Sequence, residues 1–405
     1  MNELEQFRQQ TRDWLEANCP ASMRIKPTEK DNVYGGRKWQ WQNSDARVWL
    51  ERMAGKGWTV PDWPQEYGGA GLTAQQSKVL SQEMQRLGCR KPLIGHGIMM
   101  LGPALLEHGS EQQKCEHLPK IASGEIRWCQ GYSEPGAGSD LASLRCKAED
   151  QGDHYLVNGQ KCWTTDADKA DWMFCLVRTR DDGKKQEGIS FVLFDMETPG
   201  VSTRPVPLIT GVSHFCDTFL DNVVVPKKNL VGELNRGWTI AKALLVHERK
   251  HMADLESSMP LPQYTVVEYA QQFLSTDKRG RVVNSLMRER IVEHLMRKQA
   301  IELSERRAFE EGVAGTLDMR MINIFKYIGT EEQKEKANLI VDILGLTGGQ
   351  WEQEHAGHSD AQNSFADIKR ATTEWMSSMA YTIAGGSSEV QLNLIAKRSL
   401  ALPEE

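Results

Sequence analysis

An α+β protein, helical at both ends with a β domain between, is what this 405-residue sequence predicts, and three changes of pattern carry the prediction. Up to Glu125 apolar residues recur three and four apart, the spacing of one helix face. From Ile126 to Leu234 the apolar runs are short, β-branched or aromatic, and separated by Gly, Asp and Asn, as strands and turns are. After Gly237 the helical period returns in longer runs. The expected domains are therefore residues 1–125, 126–234 and 235–405.

The opening MNELEQFRQQTRDWLEANCP reads as an amphipathic helix with Leu4, Phe7, Trp14 and Leu15 inward. It has no apolar signal core and is too acidic for a transit peptide. TAQQSKVLSQEMQRLG and IMMLGPALLEHGSEQQKCEHLPKIASG follow as helices, with the turn-rich PDWPQEYGGAGLT from Pro61 as a loop. In the middle zone HYLVNGQKCWTT, ADWMFCLVRT, GISFVLFDM and DTFLDNVVVP read as strands, and VNGQ as a hairpin turn. WTIAKALLVHERKHMADLES, MRERIVEHLMRKQAIELSERRAFEEG, EKANLIVDILGLTGG and a last helix after Gly386 suggest an antiparallel bundle.

Composition narrows the function classes. With 40% hydrophobic residues, 26% charged and a net charge of −6, nothing favours a nucleic-acid or anionic-membrane partner. No apolar run approaches the ~20 residues that span a bilayer, so a cytoplasmic protein is expected. The eight cysteines (19, 89, 115, 129, 146, 162, 175 and 216) contain no CxxC pair, and the closest two are 13 residues apart. Reduced core thiols are expected, and no metal site.

Three stretches could carry chemistry. In CQGYSEPGAGSDLASL, Gly136-Ala137-Gly138 begins like a dinucleotide fingerprint, but no third glycine follows and the next segment reads as strand, not helix. Its amides and the Ser133 and Ser139 hydroxyls either wrap a flat cofactor or phosphate or form a surface turn. In KCWTTDADKADW, Trp163 before two threonines either stacks on a flat ring or is a core aromatic. In AGGSSEVQ, Gly385-Gly386 precedes a helix, and Glu389 suits that helix's positive end as a cap.

Together these stretches resemble the acyl-CoA dehydrogenase family, and the resemblance covers nearly the whole chain. Ser133 to Asp140 matches the family's Ser/Thr-Glu-Pro-x-Ala-Gly-Ser-Asp loop, and Trp163 and Thr165 match its Trp-x-Thr pair. WPQEYGGAGL from Trp63 is similar to its N-terminal loop. The resemblance implies a β-barrel middle domain between an N-terminal helical domain and a C-terminal four-helix bundle. It also implies FAD, an acyl-CoA substrate that loses two hydrogens across its α and β carbons, and an electron-transfer flavoprotein as acceptor. By the same resemblance Gln130, Tyr132, Ser133, Ser139, Trp163 and Thr165 line the flavin site. Ser387 and Glu389 fall at the cofactor too, and Ser139 also lies near the CoA chain.

Many family members carry a catalytic glutamate just before a Gly-Thr pair near the C-terminus; here Gly385 stands in its place. A second branch places the glutamate before an arginine on the first long helix of the C-terminal domain, which Glu248-Arg249 match. Ile240, Leu244, Glu248 and Met252 fall at successive i+4 positions, so Glu248 interrupts an apolar stripe. Such an acid is either functional or turned outward and paired. With the resemblance, Glu248 is the expected base, Arg249 approaches the CoA or acyl portion, and the Gly385 N–H polarises the thioester carbonyl.

The sequence departs from the family where neighbouring subunits hold the FAD pyrophosphate. Arg279 and Arg281 stand without the family's Phe-Gly, Asp342 replaces a glutamine, and Leu392 replaces an arginine. A homodimer or homotetramer with a different grip, or a mixed oligomer with a second family subunit, is expected. A same-fold flavin monooxygenase or oxidase, and a non-catalytic subunit, are the alternatives.

Overall fold

The structure, a computed structural model, describes residues 3–25, 31–244, 265–318, 321–349 and 359–403. The chain divides into two compact units, one covering residues 1–208 and 212–260 and the other 209–211 and 261–405.

The first unit opens with α1 (Glu3–Asn18), α2 (Ser44–Gly55), α3 (Ala74–Leu87), α4 (Gly102–His108) and α5 (Glu111–Ala122). Asn43 caps α2, while Thr73 and Ser110 form capping boxes with Gln76 and Gln113 at the starts of α3 and α5. Left-handed Gly88 stops α3. On α1 the buried residues are Thr11 and Leu15, with Leu4, Phe7 and Trp14 half-buried.

Helices α1 and α3 run side by side, joined by ion pairs. Arg8 and Arg12 reach Glu83 at 3.1 and 3.0 Å, and Arg86 reaches Glu83 at 2.7 Å and Glu16 at 2.6 Å. Arg12, then Arg86 and Arg8, hold the Glu83 carboxyl down at about 2. Its folded pKa lies below the unfolded value of ~4.3, so this stabilisation is complete above that pH and is lost as pH falls towards 2. Acid unfolding should show that loss, and Glu83→Gln should flatten it. An unchanged pH slope in the variant would contradict this role.

The β domain contains β1 (Trp128–Gly131), β2 (Lys147–Asp150), β3 (His154–Thr165), β4 (Trp172–Arg178), β5 (Ile189–Asp195), β6 (Val201–Val206), β7 (Phe215–Pro226) and β8 (Leu230–Val231). They order as β6-β7-β3-β2-β4-β5-β8, with β1 parallel to β4. The expected barrel thus takes the form of an open sheet, with no described strand pairing that joins β6 to β8. One face packs Phe174, Leu176, Phe191 and Leu193 with Leu101, Leu105 and Leu118 of the helical segment. The other packs Met173, Cys175, Val177, Val192 and Phe194 with Val157 and Val223. Burial on both faces explains why β4 and β5 are continuous apolar runs.

The hairpin expected at VNGQ does not form. β3 runs straight through it, with a register shift against β7 between Val157 and Gly159. A Cβ at Gly159 would lie 2.8 Å from the Cys146 Cα, so the glycine serves a close backbone approach. The turn sits earlier, at Gly152 (φ +93°) between β2 and β3.

Helical residues 237–244 (α6) follow β8, with Ile240, Ala241 and Leu244 buried. The second unit holds α7 (Val266–Phe273), α8 (Ser285–Val313), α9 (Met321–Leu344), α10 (Ser359–Tyr381) and α11 (Ser388–Leu394). Tyr269, Ile291, Leu339, Ile340, Ile343, Ile368 and Ala371 form its core across α7 to α10. No helix among the described residues is long and apolar enough to cross a membrane.

Candidate functional site

The loop after β1 is held tightly from beneath. Glu134 and Ala137 exchange two backbone hydrogen bonds of 3.0 Å, closing a turn with Pro135-Gly136 at its tip. The fully buried Lys161 donates from Nζ to Glu134 Oε1 at 2.8 Å and to the Tyr132 carbonyl at 3.2 Å. Glu134 also accepts the N–H groups of Arg145 (2.7 Å) and Cys146 (2.9 Å). The Cys162 N–H donates to the Ser133 carbonyl at 2.9 Å. The Gly-rich loop is therefore fastened to β3 through both its main chain and a buried ion pair. Burial opposes the Lys161 charge, but the Glu134 carboxylate at 2.8 Å offsets it and favours the ammonium form. Neither Glu134 nor Lys161 was among the functional residues expected from sequence. The signal available was a lysine at an even spacing from Tyr155 and Val157, buried positions of the same strand.

One residue further along β3, a second register shift lies between Lys161 and Thr164. It turns the backbone of Trp163 to φ +56°, a left-handed conformation that a bulky residue rarely adopts. The indole is 58% exposed and rests edge-on against Phe215, 5.7 Å between centroids. Trp163 is thus no core aromatic. It is a flat apolar surface lifted out of the sheet by a bulge.

On β1, opposite Phe174, the buried Gln130 Nε2 has no hydrogen-bond partner, an unused donor. Ser133 and Thr165 are half-buried and Ser139 is exposed. A Cβ at Gly136 or Gly138 would meet nothing within 4 Å, so the loop presents bare backbone to open space. Tyr132 lies beneath, its ring packed on Phe174 and Phe191 at 6.0 and 6.5 Å.

Gly385, Ser387 and Glu389 belong to the second unit. Gly385 and Gly386 have φ of +65° and +95°, and Lys326 Nζ donates to the Gly386 carbonyl at 2.7 Å. Ser387 caps α11, accepting from the Val390 N–H. Exposed Glu389 sits in the first turn, its carboxyl held below the usual range by its own amide and by Ser387. Of the divergent residues, Asp277 takes the backbone N–H groups of Arg279 and Arg281 and the Arg281 guanidinium at 2.8 Å. Asp342 is paired with Arg290 at 2.7 Å, and Leu392 is 46% exposed. Glu248 and Arg249 lie outside the described residues. Among those described, no cluster of His, Cys, Asp and Glu could hold a metal.

Family models for the acyl-CoA dehydrogenase N-terminal, middle and C-terminal domains match residues 1–125, 129–223 and 235–400. The chain belongs to the acyl-CoA dehydrogenase family. Members of the acyl-CoA dehydrogenase family are FAD-dependent, and the chain is an oxidoreductase of this family. It is 32% identical to the acyl-CoA dehydrogenase IpdE1 of Mycobacterium tuberculosis, over 100% of this chain and 99% of that protein. It is 35% identical to FadE34 of the same organism, over 87% of this chain and 45% of that protein. Among solved structures, the Tcur3481–Tcur3483 steroid ACAD matches with a TM-score of 0.72 at 28% identity, covering 99% of this chain and 98% of that one. The ChsE4–ChsE5 complex from Mycobacterium tuberculosis matches at 0.70 and 26%, covering 100% and 99%.

Proposed function

We propose that this chain binds FAD against Trp163 and dehydrogenates an acyl-CoA thioester to the trans-2-enoyl-CoA, with Glu248 as the base. Trp163 is the observation that carries the reading. An exposed indole on a strained bulge has no packing role that would repay its conformation. The glycine loop, tied to the neighbouring Cys162, stands open to a ligand, and Gln130 on β1 carries an unused buried amide donor, a set that fits a flat heterocycle with polar edges. Ser133, Ser139 and Thr165 add hydroxyls to that edge. When bound, FAD supplies the acceptor for the hydride that leaves the β carbon.

The chain's own residues must then handle the α-proton. A thioester α-proton is weakly acidic, so a positioned carboxylate has to remove it. The stripe begun by buried Ile240 and Leu244 carries Glu248 one i+4 step onward in sequence, and an apolar setting raises a carboxylate towards the useful range. The Gly385 N–H would polarise the thioester carbonyl, a role that needs no side chain. Arg249 would approach the CoA.

The pyrophosphate end fits less well. Asp277 already engages Arg281, and Asp342 brings a carboxylate that Arg290 must offset. These features favour a mixed assembly in which a second family subunit supplies part of the grip. The names of the solved relatives, a steroid ACAD and a two-protein complex, support a bulky ring-bearing acyl group and such an assembly. An electron-transfer flavoprotein is the proposed acceptor.

Trp163→Ala tests the cofactor reading. Loss of the ring contact should weaken FAD binding about tenfold or more, at ~1.4 kcal/mol per tenfold. The melting temperature without FAD should hardly move, because the indole is largely exposed. Fluorescence titration with FAD that gave the wild-type affinity would contradict the site.

A further inference from the structure

The side-by-side packing of α1 and α3 brings two cysteines together at the ends of the helices. Arg12 pairs with Glu83 and Glu16 with Arg86, and the next rung along the same ladder is Cys19 opposite Cys89. The flanking chain is fixed as well. The Arg90 N–H donates to the Met23 carbonyl at 2.9 Å, and a Cβ at Gly88 would lie 3.0 Å from the Arg24 carbonyl oxygen. Both side chains belong to one packed cluster, Cys19 within it and Cys89 against it. Cys19 is 3% exposed, whereas Cys89 is half-buried and opens the pair to solvent.

The charges around the pair are positive. Arg24 donates to the Cys19 carbonyl at 3.1 and 2.8 Å. The proximity of Cys89 and Arg24 holds the Cys19 thiol below its ordinary value, and the proximity of Cys19 together with burial pushes Cys89 up. Two adjacent thiols beside an arginine, one of them open to solvent, are the setting in which a dithiol reacts. The other candidates lack one ingredient each. Cys146 and Cys175 also share a core cluster, but both are buried away from any oxidant, and exposed Cys115 has no described thiol beside it.

We propose that Cys19 and Cys89 form a reversible redox site that closes to an intramolecular disulfide when a two-electron oxidant of the peroxide class reaches them. One of the two sulfurs attacks one oxygen of hydrogen peroxide, which reaches the pair through Cys89; the O–O bond breaks, and the departing oxygen leaves as water after taking up a proton. The other sulfur then attacks the resulting sulfenic acid, the S–O bond breaks, the S–S bond forms and a second water leaves. In sum, the two thiols give up two electrons and two protons, and one peroxide becomes two waters. A thiol reductant returns the pair to its open form. The site does not depend on the flavin reading, because no residue of the Trp163 surface takes part.

The test uses the full chain with all eight cysteines. After brief hydrogen peroxide treatment without denaturant, free thiols are blocked and the protein is digested without reductant for mass spectrometry. The expected product joins the Cys19 and Cys89 peptides, forms equally in Cys115→Ser, disappears in Cys89→Ser and reverses with dithiothreitol. A link across some 70 residues should also raise the melting temperature of the oxidised wild type by several degrees, on the order of 5 °C. Sulfinic acid at Cys19 or Cys89 without the cross-link would overturn the proposal. So would oxidation confined to Cys115, or a disulfide between any other pair.

Discussion

Glu248→Gln should slow reduction of the bound flavin by acyl-CoA roughly 10²- to 10⁴-fold, the range expected when a general base is removed. Glutamine keeps the size and hydrogen-bonding capacity of the side chain, so FAD content and melting temperature should stay at wild-type values. Thioester binding should also persist, because the lost interaction belongs to proton removal rather than to ground-state affinity. Anaerobic stopped-flow absorbance measures the step directly. A variant within threefold of wild type would remove Glu248 from the mechanism. Glu389 provides a control, since it lies exposed in the first turn of α11 as a helix-end carboxylate. Glu389→Gln should leave the rate of reduction nearly unchanged.

The second large effect concerns stability. Lys161→Met leaves the Glu134 carboxylate buried with only two backbone N–H donors, and removing one partner of a buried pair costs about 3–5 kcal/mol. The loop that displays Ser133 and Ser139 would also lose its tie to Tyr132. In the double variant Glu134→Gln/Lys161→Met no buried charge remains, so much of that loss should be recovered. Urea unfolding of the wild type, both single variants and the double closes the cycle. A single-variant loss under about 1 kcal/mol would show that the pair does not hold the loop.

The zones of the fold were legible because burial is two-sided in β4 and β5 and one-sided on the helices, and each leaves its own apolar period. The capping boxes at Thr73 and Ser110 put sharp ends on α3 and α5. What misled was chemistry with a tertiary cause. Gly159 looked like a turn residue, yet it is required by the approach of Cys146, which nothing in VNGQ records. Lys161 is invisible as a buried group until its partner Glu134 is known, because the two are 27 residues apart. Trp163 could be placed at a strand end from sequence, but the choice between core aromatic and exposed platform depended on the register shift against β7. The Cys19–Cys89 contact likewise follows from the pairing of α1 with α3, and no short spacing rule could have found it. Gly385-Gly386 was closer to legible: two left-handed residues before a serine-capped helix are what that glycine pair provides.

The most direct test of the central claim is the anaerobic visible spectrum of this chain, before and after addition of a panel of straight-chain and ring-bearing acyl-CoA thioesters. The account predicts a flavin absorption band that fades with at least one ring-bearing thioester, in the chain alone or with its second subunit. Bound flavin that no thioester reduces, yet which is reduced by another donor and then consumes oxygen rapidly, would contradict it.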